Sequence, residues 1–498
     1  MASSPDAASA PSAGPRWLTP TSMLLYAACA VFLWAALDWR PEWDGSVYLL
    51  LARSLAAGDG YLYQGEPFYL RPPGLSWLLS FMAQDGSFDA QRVNQLLMFF
   101  ATTSVFAIYL ATRDLHDRRC ALVVALLSGT SLLFSQLFNS VFAEFPFVTF
   151  SLLATAALER SVRARERWWI WAALGGVALA SAILMRTVGV LLLPGVLLVP
   201  LIRCRGRDRW RGVMPVLLTC ALTMPWWQHS RAVSAQVEVP VEQDLLFDYA
   251  TALFRVDPGD PNSARVDLDG WIERITANCG DLMRDLTEST LHISAGPVLQ
   301  IGLLMLLAVG LGCALRRRGP SMLEWLGIVY VPLIATYFVY DKRLVMPLVP
   351  LVYLYLASAF RCLVTFVLPQ RRARVLGFLL AIALLTVNLV ALSRELEGRT
   401  HAGKVNEQIA RGVLEHTPPD ARILCNQAPT VALLTGRRTF TYRFLRSADI
   451  LAKYEIDYVL YDTPGTPPPL KRMVDERMLE RWAIPFGNGR STQLTRIR

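Results

Sequence analysis

Long apolar blocks separated by short polar turns run through most of the chain. About eleven of them approach the roughly 20 apolar residues that a helix needs to cross a bilayer: residues 23–37, 95–111, 121–138, 141–158, 168–184, 188–202, 213–227, 298–315, 323–340, 344–360 and 375–392. The pattern predicts an all-α polytopic membrane protein. Between the first two blocks the spacing changes. Val47, Leu50, Leu51 and Leu55 recur at helical intervals, so residues 46–57 are expected as a helix in the interface plane, ended by "GDGY". A second short helix is expected to start at "RPPGLSWLLSFM".

After residue 392 the pattern changes again. A charged, helix-like stretch at 395–416 precedes "ARILCNQAP", "VALLTGRRTF" and "IDYVLYD", which read as short strands. Roughly a hundred residues are enough for a small domain, expected as an α/β unit whose role is structural or acceptor-related. "DTPGTPPPL" reads as a Pro-rich linker. The expected organisation is a disordered cytoplasmic tail at 1–20, a transmembrane domain at 21–395 and an extracytoplasmic α/β domain at 396–498. The start, "MASSPDAASAPSAGP", is low in complexity. The first apolar run continues past Ala28–Cys29–Ala30 to Trp39, which argues for an uncleaved span over a signal peptide.

Composition agrees with the pattern. With 53% hydrophobic and 18% charged residues and a mean hydropathy of +0.35, the chain is too apolar for an ordinary soluble protein. The net charge of +9 does not point to nucleic acid, because the arginines cluster in short loops. The clusters are Arg113/Arg118/Arg119, Arg160 to Arg167, Arg203 to Arg211, Arg316 to Arg318 and Arg371 to Arg374. With the N-terminus inside, each falls on a cytoplasmic loop, as positive charge resists translocation. The expected location is the plasma (inner) membrane. The eight cysteines show no metal-ligand spacing, and Cys279 and Cys425, expected outside, read as unpaired.

This topology puts 38–92, 228–296, everything after 392 and the turns at Asn139, Arg186 and 341–343 on the outer side. Acids and arginines from distant segments then share one depth. Asp44 in "EWDGSVY" reads either as a cap of the following helix or as a catalytic carboxylate, and Glu42 as a surface acid. Glu144 lies inside an apolar run, where an ionisable group costs on the order of 2.5–3.5 kcal/mol and faces a protein cavity. Arg71 reads as an interfacial anchor or a ligand-binding cation. Arg186 and Arg343 sit between apolar blocks at the same level. Guanidinium forks suit phosphate oxygens, and a nearby carboxylate can take a proton from an attacking hydroxyl.

"EWDGSVYLLLARSLAAGDGY" followed by "RPPGLSWLL" resembles the first outer loop of the GT-C glycosyltransferases. The similarity is to the dolichyl-phosphate-mannose protein mannosyltransferase branch and its lipid A aminoarabinose transferase relatives. The resemblance implies that Asp44 is the catalytic acid position, Glu144 in "AEFPF" the second acidic position, and Arg71 the basic-Pro-Pro residue. It makes Arg343 in "DKRLVMPLVPL" a ligand of the carrier phosphate, although Leu344 stands where the family carries an aromatic. Arg186 is expected as a third phosphate contact, and Glu42, Tyr48 and Tyr61 are expected at the acceptor rim. The implied partners are a polyprenyl-phosphate sugar donor, an extracytoplasmic acceptor (protein, lipid or cell-envelope glycan) and membrane lipid. Some members take a divalent cation, but no metal set stands out, and His229 and His292 read as surface residues. The expected activity is sugar transfer from the lipid-linked donor, with inversion at the sugar carbon. The competing class is a transporter, flippase or silent lipid-glycan binder, in which intramembrane charges line a pathway or a binding site.

Overall fold

Apolar runs fold into helices whose ends coincide with the polar turns between them. The computed structural model describes residue 41 and residues 43–84, 86–137, 140–236, 252–258, 263–292, 296–397, 402–442, 451, 454–461, 468–486 and 490–497. The expected first span at 23–37, the tail, Glu42 and Asn139 lie outside the described residues.

Helix α1 (Trp43–Ala57) leads into a two-residue hairpin of β1 (Leu62–Tyr63) and β2 (Glu66–Pro67), then helix α2 (Gly74–Ser80) and a second small hairpin, β3 (Ala83–Gln84) with β4 (Ser87–Phe88). The helical bundle follows: α3 (Ala90–Arg113), α4 (Arg118–Gly129), α5 (Leu132–Leu137), α6 (Glu144–Arg163), α7 (Trp168–Met185), α8 (Leu193–Arg203) and α9 (Val213–Gln236). It continues through α10 (Leu268–Leu291), α11 (Pro297–Arg318), α12 (Met322–Thr336), α13 (Val349–Val367) and α14 (Gln370–Glu397). Five described segments are long and apolar enough to cross a membrane: Ala90–Arg113, Trp168–Met185, Pro297–Arg318, Lys342–Val367 and Gln370–Arg394. The chain is a multi-pass membrane protein. The other expected blocks among the described residues are also helical but shorter, broken or more polar. The block at 121–138 breaks between α4 and α5, and the one at 188–202 begins as a 3-10 turn, Thr187–Leu192. Helix α10 lies within the long loop expected at 228–296 and was not foreseen. Its Asn278 amide donates 3.1, 3.1 and 2.7 Å bonds to the carbonyls of Ile334, Ala335 and Tyr337, which fixes it to the end of α12.

Capping follows the polar residues before each run. Asp89, Asp117 and Asp267 accept from the first backbone N–H groups of α3, α4 and α10. Ser321 and Glu324 form a reciprocal capping box on α12.

The C-terminal segment forms helix α15 (Ala402–His416), strand β5 (Arg422–Cys425), helix α16 (Ala428–Thr435), strands β6 (Arg438–Thr441) and β7 (Tyr458–Tyr461), helix α17 (Pro468–Arg477), and strands β8 (Met478–Phe486) and β9 (Arg490–Ile497). The sheet order is β6-β5-β7-β9-β8, with β6, β5 and β7 parallel and β7, β9 and β8 antiparallel. Alternate residues of β5 and β7 enter opposite clusters: Ile423, Cys425, Tyr458 and Leu460 on one side, Leu424, Val459 and Tyr461 on the other. That period of two buries both faces. Two expectations are corrected. "VALLT", read as strand, is the end of α16, because Gly436 at φ +69 terminates a helix before β6 begins. The hairpin of β8 and β9 was not anticipated, and the last residues of the Pro-rich stretch open α17.

Candidate active site

Asp44 stands in the first turn of α1, and both its oxygens are held by arginines from distant segments. Arg71 Nη2 lies 2.6 Å from Oδ1, and Arg343 Nη1 lies 2.9 Å from Oδ2. Glu144, at the start of α6, takes Arg186 Nη1 at 2.5 Å on Oε1, and the same Arg343 nitrogen is 4.0 Å from that oxygen. Thus Arg343 spans both acids and joins the five residues into one cluster. The Arg71 and Glu144 side chains are 6% and 7% exposed, whereas Asp44, Arg186 and Arg343 remain 20–22% exposed. The cluster is therefore accessible from the Asp44 and Arg343 side. Burial pushes the Asp44 carboxyl up, but Arg71, Arg343 and Arg186 outweigh it and leave its pKa at about 2.

Local backbone features bring these residues together. Arg186 caps α7 in extended conformation (φ −146°), where the helix stops before the 3-10 turn. Arg343 opens a second 3-10 turn, Lys342–Leu348, whose N-cap Asp341 accepts from the Arg343 backbone N–H at 2.9 Å and from Nε at 2.7 Å. Two glycines allow close approach of backbone to backbone. A Cβ on Gly45 would lie 2.7 Å from the Val141 carbonyl oxygen, and one on Gly74 would lie 2.6 Å from the Leu184 carbonyl oxygen. The first contact brings Asp44 towards Glu144, and the second brings the Arg71 segment towards Arg186.

Tyr48 and Tyr61, expected at the rim, are both buried, 6% and 9% exposed. Tyr48 packs into the main core. Tyr61 donates its hydroxyl to the carbonyls of Arg71 at 3.0 Å and Pro72 at 3.3 Å, so it holds the backbone that presents Arg71. Its ring meets Phe68, Trp226 and His229 edge-on. His229, read as a surface residue, bonds through a ring nitrogen to the Phe68 carbonyl at 3.1 Å and stacks on Trp226. His292 lies 2.5 Å from Asn388 Oδ1. Cys279 and Cys425 are free thiols, and Cys425 is buried in the sheet.

Three residues at the cluster were not singled out in the sequence as part of it. Asp341 orients Arg343. Phe142 places its ring centroid 4.4 Å below the Arg343 guanidinium carbon, a cation–π contact. Tyr330, stacked on Phe147, lies within electrostatic reach of Arg186 and Glu144. Asp341, adjacent to the basic pair, carried a local signal; the aromatic residues lie in apolar runs and carried none.

At the opposite end of the bundle several loop arginines hold acids of the helices. Arg160 meets Asp114 at 2.6 Å, Arg203 meets the fully buried Glu159 at 2.7 Å, and Arg318 grips Glu324 through both guanidinium nitrogens at 2.9 and 2.6 Å. Glu159 also accepts the Met322 backbone N–H, tying α6 to α12.

Among the described residues no group of three or more His, Cys, Asp or Glu side chains gathers as a metal site. Asp44 and Glu144 face guanidinium groups at hydrogen-bond distance. A divalent cation there would meet like charge, so this set does not fit one.

Residues 70–228 match the family model of dolichyl-phosphate-mannose-protein mannosyltransferase. Over that third of the chain the sequence is similar to this mannosyltransferase family. The matched region includes Arg71, Glu144 and Arg186. No curated protein matches the chain significantly in sequence. Solved structures agree on the fold. ArnT from Cupriavidus metallidurans bound to undecaprenyl phosphate superposes with a TM-score of 0.57 at 14% identity, over 96% of this chain and 98% of that one. The Archaeoglobus fulgidus oligosaccharyltransferase tethered to an acceptor peptide gives 0.62 at 12% identity, over 94% and 73%. The mycobacterial arabinofuranosyltransferase AftD gives 0.52 at 15% identity, over 96% of this chain and 40% of that one.

Proposed function

We propose that this chain is a GT-C glycosyltransferase that moves a sugar from a polyprenyl-phosphate donor to a hydroxyl-bearing acceptor at the outer membrane surface, with Asp44 as general base. One observation carries the reading: Asp44 is held between Arg71 at 2.6 Å and Arg343 at 2.9 Å, with Arg186 beside them. The relatives support the donor class. ArnT was solved with undecaprenyl phosphate, and the archaeal oligosaccharyltransferase with a dolichol-phosphate and an inhibitory peptide. The arginine-rich loops at the opposite end of the bundle support an extracytoplasmic site.

In this mechanism the donor phosphate enters between Arg71 and Arg343, and Arg186 adds a third contact. A carboxylate with a pKa of about 2 is a poor base. As the phosphate draws the guanidinium charge towards itself, the affinity of Asp44 for a proton rises, so donor binding readies the base. Asp44 then takes the acceptor hydroxyl proton as that oxygen bonds to the anomeric carbon from the opposite face. The bond from that carbon to the phosphate oxygen breaks, and the electron pair leaves on the polyprenyl phosphate. Its charge grows from one to two negatives, so the arginines bind the transition state more tightly than the ground state. Glu144 holds Arg186 in place.

Replacing Asp44 with Asn tests the assignment. The amide keeps the shape and the capping ability of the acid but cannot accept the proton. Turnover by the purified protein is expected to fall by about 10²–10⁴-fold, with undecaprenyl phosphate still bound. Turnover at close to the parent rate would make Asp44 a cap and overturn the mechanism.

A further inference from the structure

The C-terminal domain grips the polypeptide on both sides of Asp44. Thr430, in the first turn of α16 and 3% exposed, places its hydroxyl 2.9 Å from Ser46 Oγ and 3.3 Å from the Pro41 carbonyl oxygen. Ser46, fully buried, also lies 3.2 Å from that carbonyl. Three buried groups therefore close a ring around the turn that carries Asp44. About two turns beyond Ser46, Arg53 Nη2 donates to the Leu433 carbonyl at 2.9 Å, near the C-terminal end of α16. There the helix presents carbonyls with no partner inside it.

A second hold comes from the hairpin. Gln64 accepts the Thr439 backbone N–H on Oε1 at 2.9 Å and donates Nε2 to the Thr439 carbonyl at 3.1 Å. Strand β6 is an edge of the sheet, and this side-chain amide supplies the partner that a neighbouring strand would provide. Gln64 takes φ +51° ahead of Gly65 at φ +90°. A tight hairpin turn of this kind favours Asn, Asp or Gly at the first position, so the strained Gln64 backbone is retained while its longer amide reaches Thr439. Thr439 Oγ1 donates to the Ala428 carbonyl at 2.7 Å, joining this hold to α16.

We propose that the C-terminal domain is a positioning element for transfer, setting Asp44 against Arg71 and Arg343 through Thr430 and Gln64. The proposal rests on the reading of Asp44 as base. Interdomain contacts that served cohesion alone would not need to bracket one catalytic turn at residues 41 and 46, nor to hold a strained glutamine.

The test uses the full-length protein in detergent with undecaprenyl-phosphate mannose for turnover, undecaprenyl phosphate for binding, and amide hydrogen exchange over residues 43–57. Thr430→Val and Gln64→Ala are expected to lower kcat by about 10- to 100-fold, as small misplacements of reacting groups do. KM for the donor and affinity for undecaprenyl phosphate should stay within about twofold of the parent. Exchange over 43–57 should speed up while strand β5 stays protected, and Thr430→Ser should restore both kcat and protection. Parent-like kcat or parent-like exchange in both variants overturns the proposal, as does a Thr430→Ser variant no better than Val. Asp44→Asn is run in parallel. If it keeps full activity the base reading fails, and exchange over 43–57 alone then judges the positioning.

Discussion

Gly45→Ala is a small change with a large expected effect. In a helix an alanine normally stabilises by about 0.4–1 kcal/mol, because it restricts the unfolded chain. Here the added methyl would lie 2.7 Å from the Val141 carbonyl oxygen and 2.9 Å from Val141 Cβ. The optimum for carbon pairs is about 3.5–4.0 Å. Neither atom can rotate away, since one is backbone and the other is bonded to it. The N-terminus of α1 must therefore back off by on the order of 1 Å to regain that separation. Overpacking of this kind costs about 1–3 kcal/mol, which at mid-range exceeds the helix gain of about 0.4–1 kcal/mol. The larger consequence is for turnover, because Asp44 precedes Gly45 and moves with it. A shift of about 1 Å at a reacting group costs on the order of 10²-fold. Thermal unfolding and turnover of the detergent-solubilised variant measure the two effects. Gly280→Ala in α10 and Gly312→Ala in α11 serve as controls, since nothing lies within 4 Å of a Cβ at either position. Parent-like melting temperature and turnover in Gly45→Ala would refute the close-approach argument.

Three further outcomes follow from the ion cluster. Arg186→Ala removes the 2.5 Å partner of Glu144; a buried charge stripped of its pair costs about 3–5 kcal/mol, with Arg343 at 4.0 Å holding the loss to the low end. Adding Glu144→Gln should recover stability in a double-mutant cycle, and strictly additive losses would show that the two do not interact. Arg343→Lys keeps the charge but cannot serve Asp341 and Asp44 with separate fork nitrogens, so undecaprenyl phosphate should bind about tenfold more weakly; unchanged affinity removes Arg343 from the phosphate site. The Asp44 pKa falls from 3.8 to about 2 on folding. Its stabilisation is thus complete above the unfolded value and disappears as pH falls through the folded one. Asp44→Asn should melt below the parent at pH 7, with the gap closing between about pH 4 and 2, and a gap that persists at the acid end would refute it.

Hydrophobic length and helical spacing are local properties, and they determined much of this protein in advance. The described apolar blocks as helical segments, the α1 helix with its Gly58 stop (φ +82°), the α2 helix after the paired prolines and strands β5 and β7 appear where the pattern puts them, with five of the described segments long and apolar enough to cross a membrane. The charged candidates were also legible. An arginine or glutamate inside or at the edge of an apolar run is conspicuous whatever the fold, and Glu144, Arg186 and Arg343 stood out on that ground. Asp44 and Arg71 were singled out instead by the shared depth the topology gave them and by the resemblance of the first outer loop. Which carboxylate meets which arginine was not legible, because the pairs join residues 27, 42 and 299 positions apart, which no local spacing connects. Arg343 reaches Asp44 across a separation of 299 positions. Gly45 and Gly74 read as helix-start or turn residues until Val141 and Leu184 are seen against them. Tyr61 was expected at the acceptor rim beside the resemblance of the first outer loop. Only the packing of Phe68, Trp226 and His229 around it shows that its hydroxyl holds the Arg71 backbone. The α16 helix defeated strand propensity for the same reason. Val431 and Leu433 enter separate buried clusters there, and tertiary burial outweighs a preference of only about 1 kcal/mol across the whole propensity scale. Sequence determines what each segment does with its own neighbours; contacts made across hundreds of residues are decided only when the segments pack, because their free energies depend on distances that no local pattern encodes.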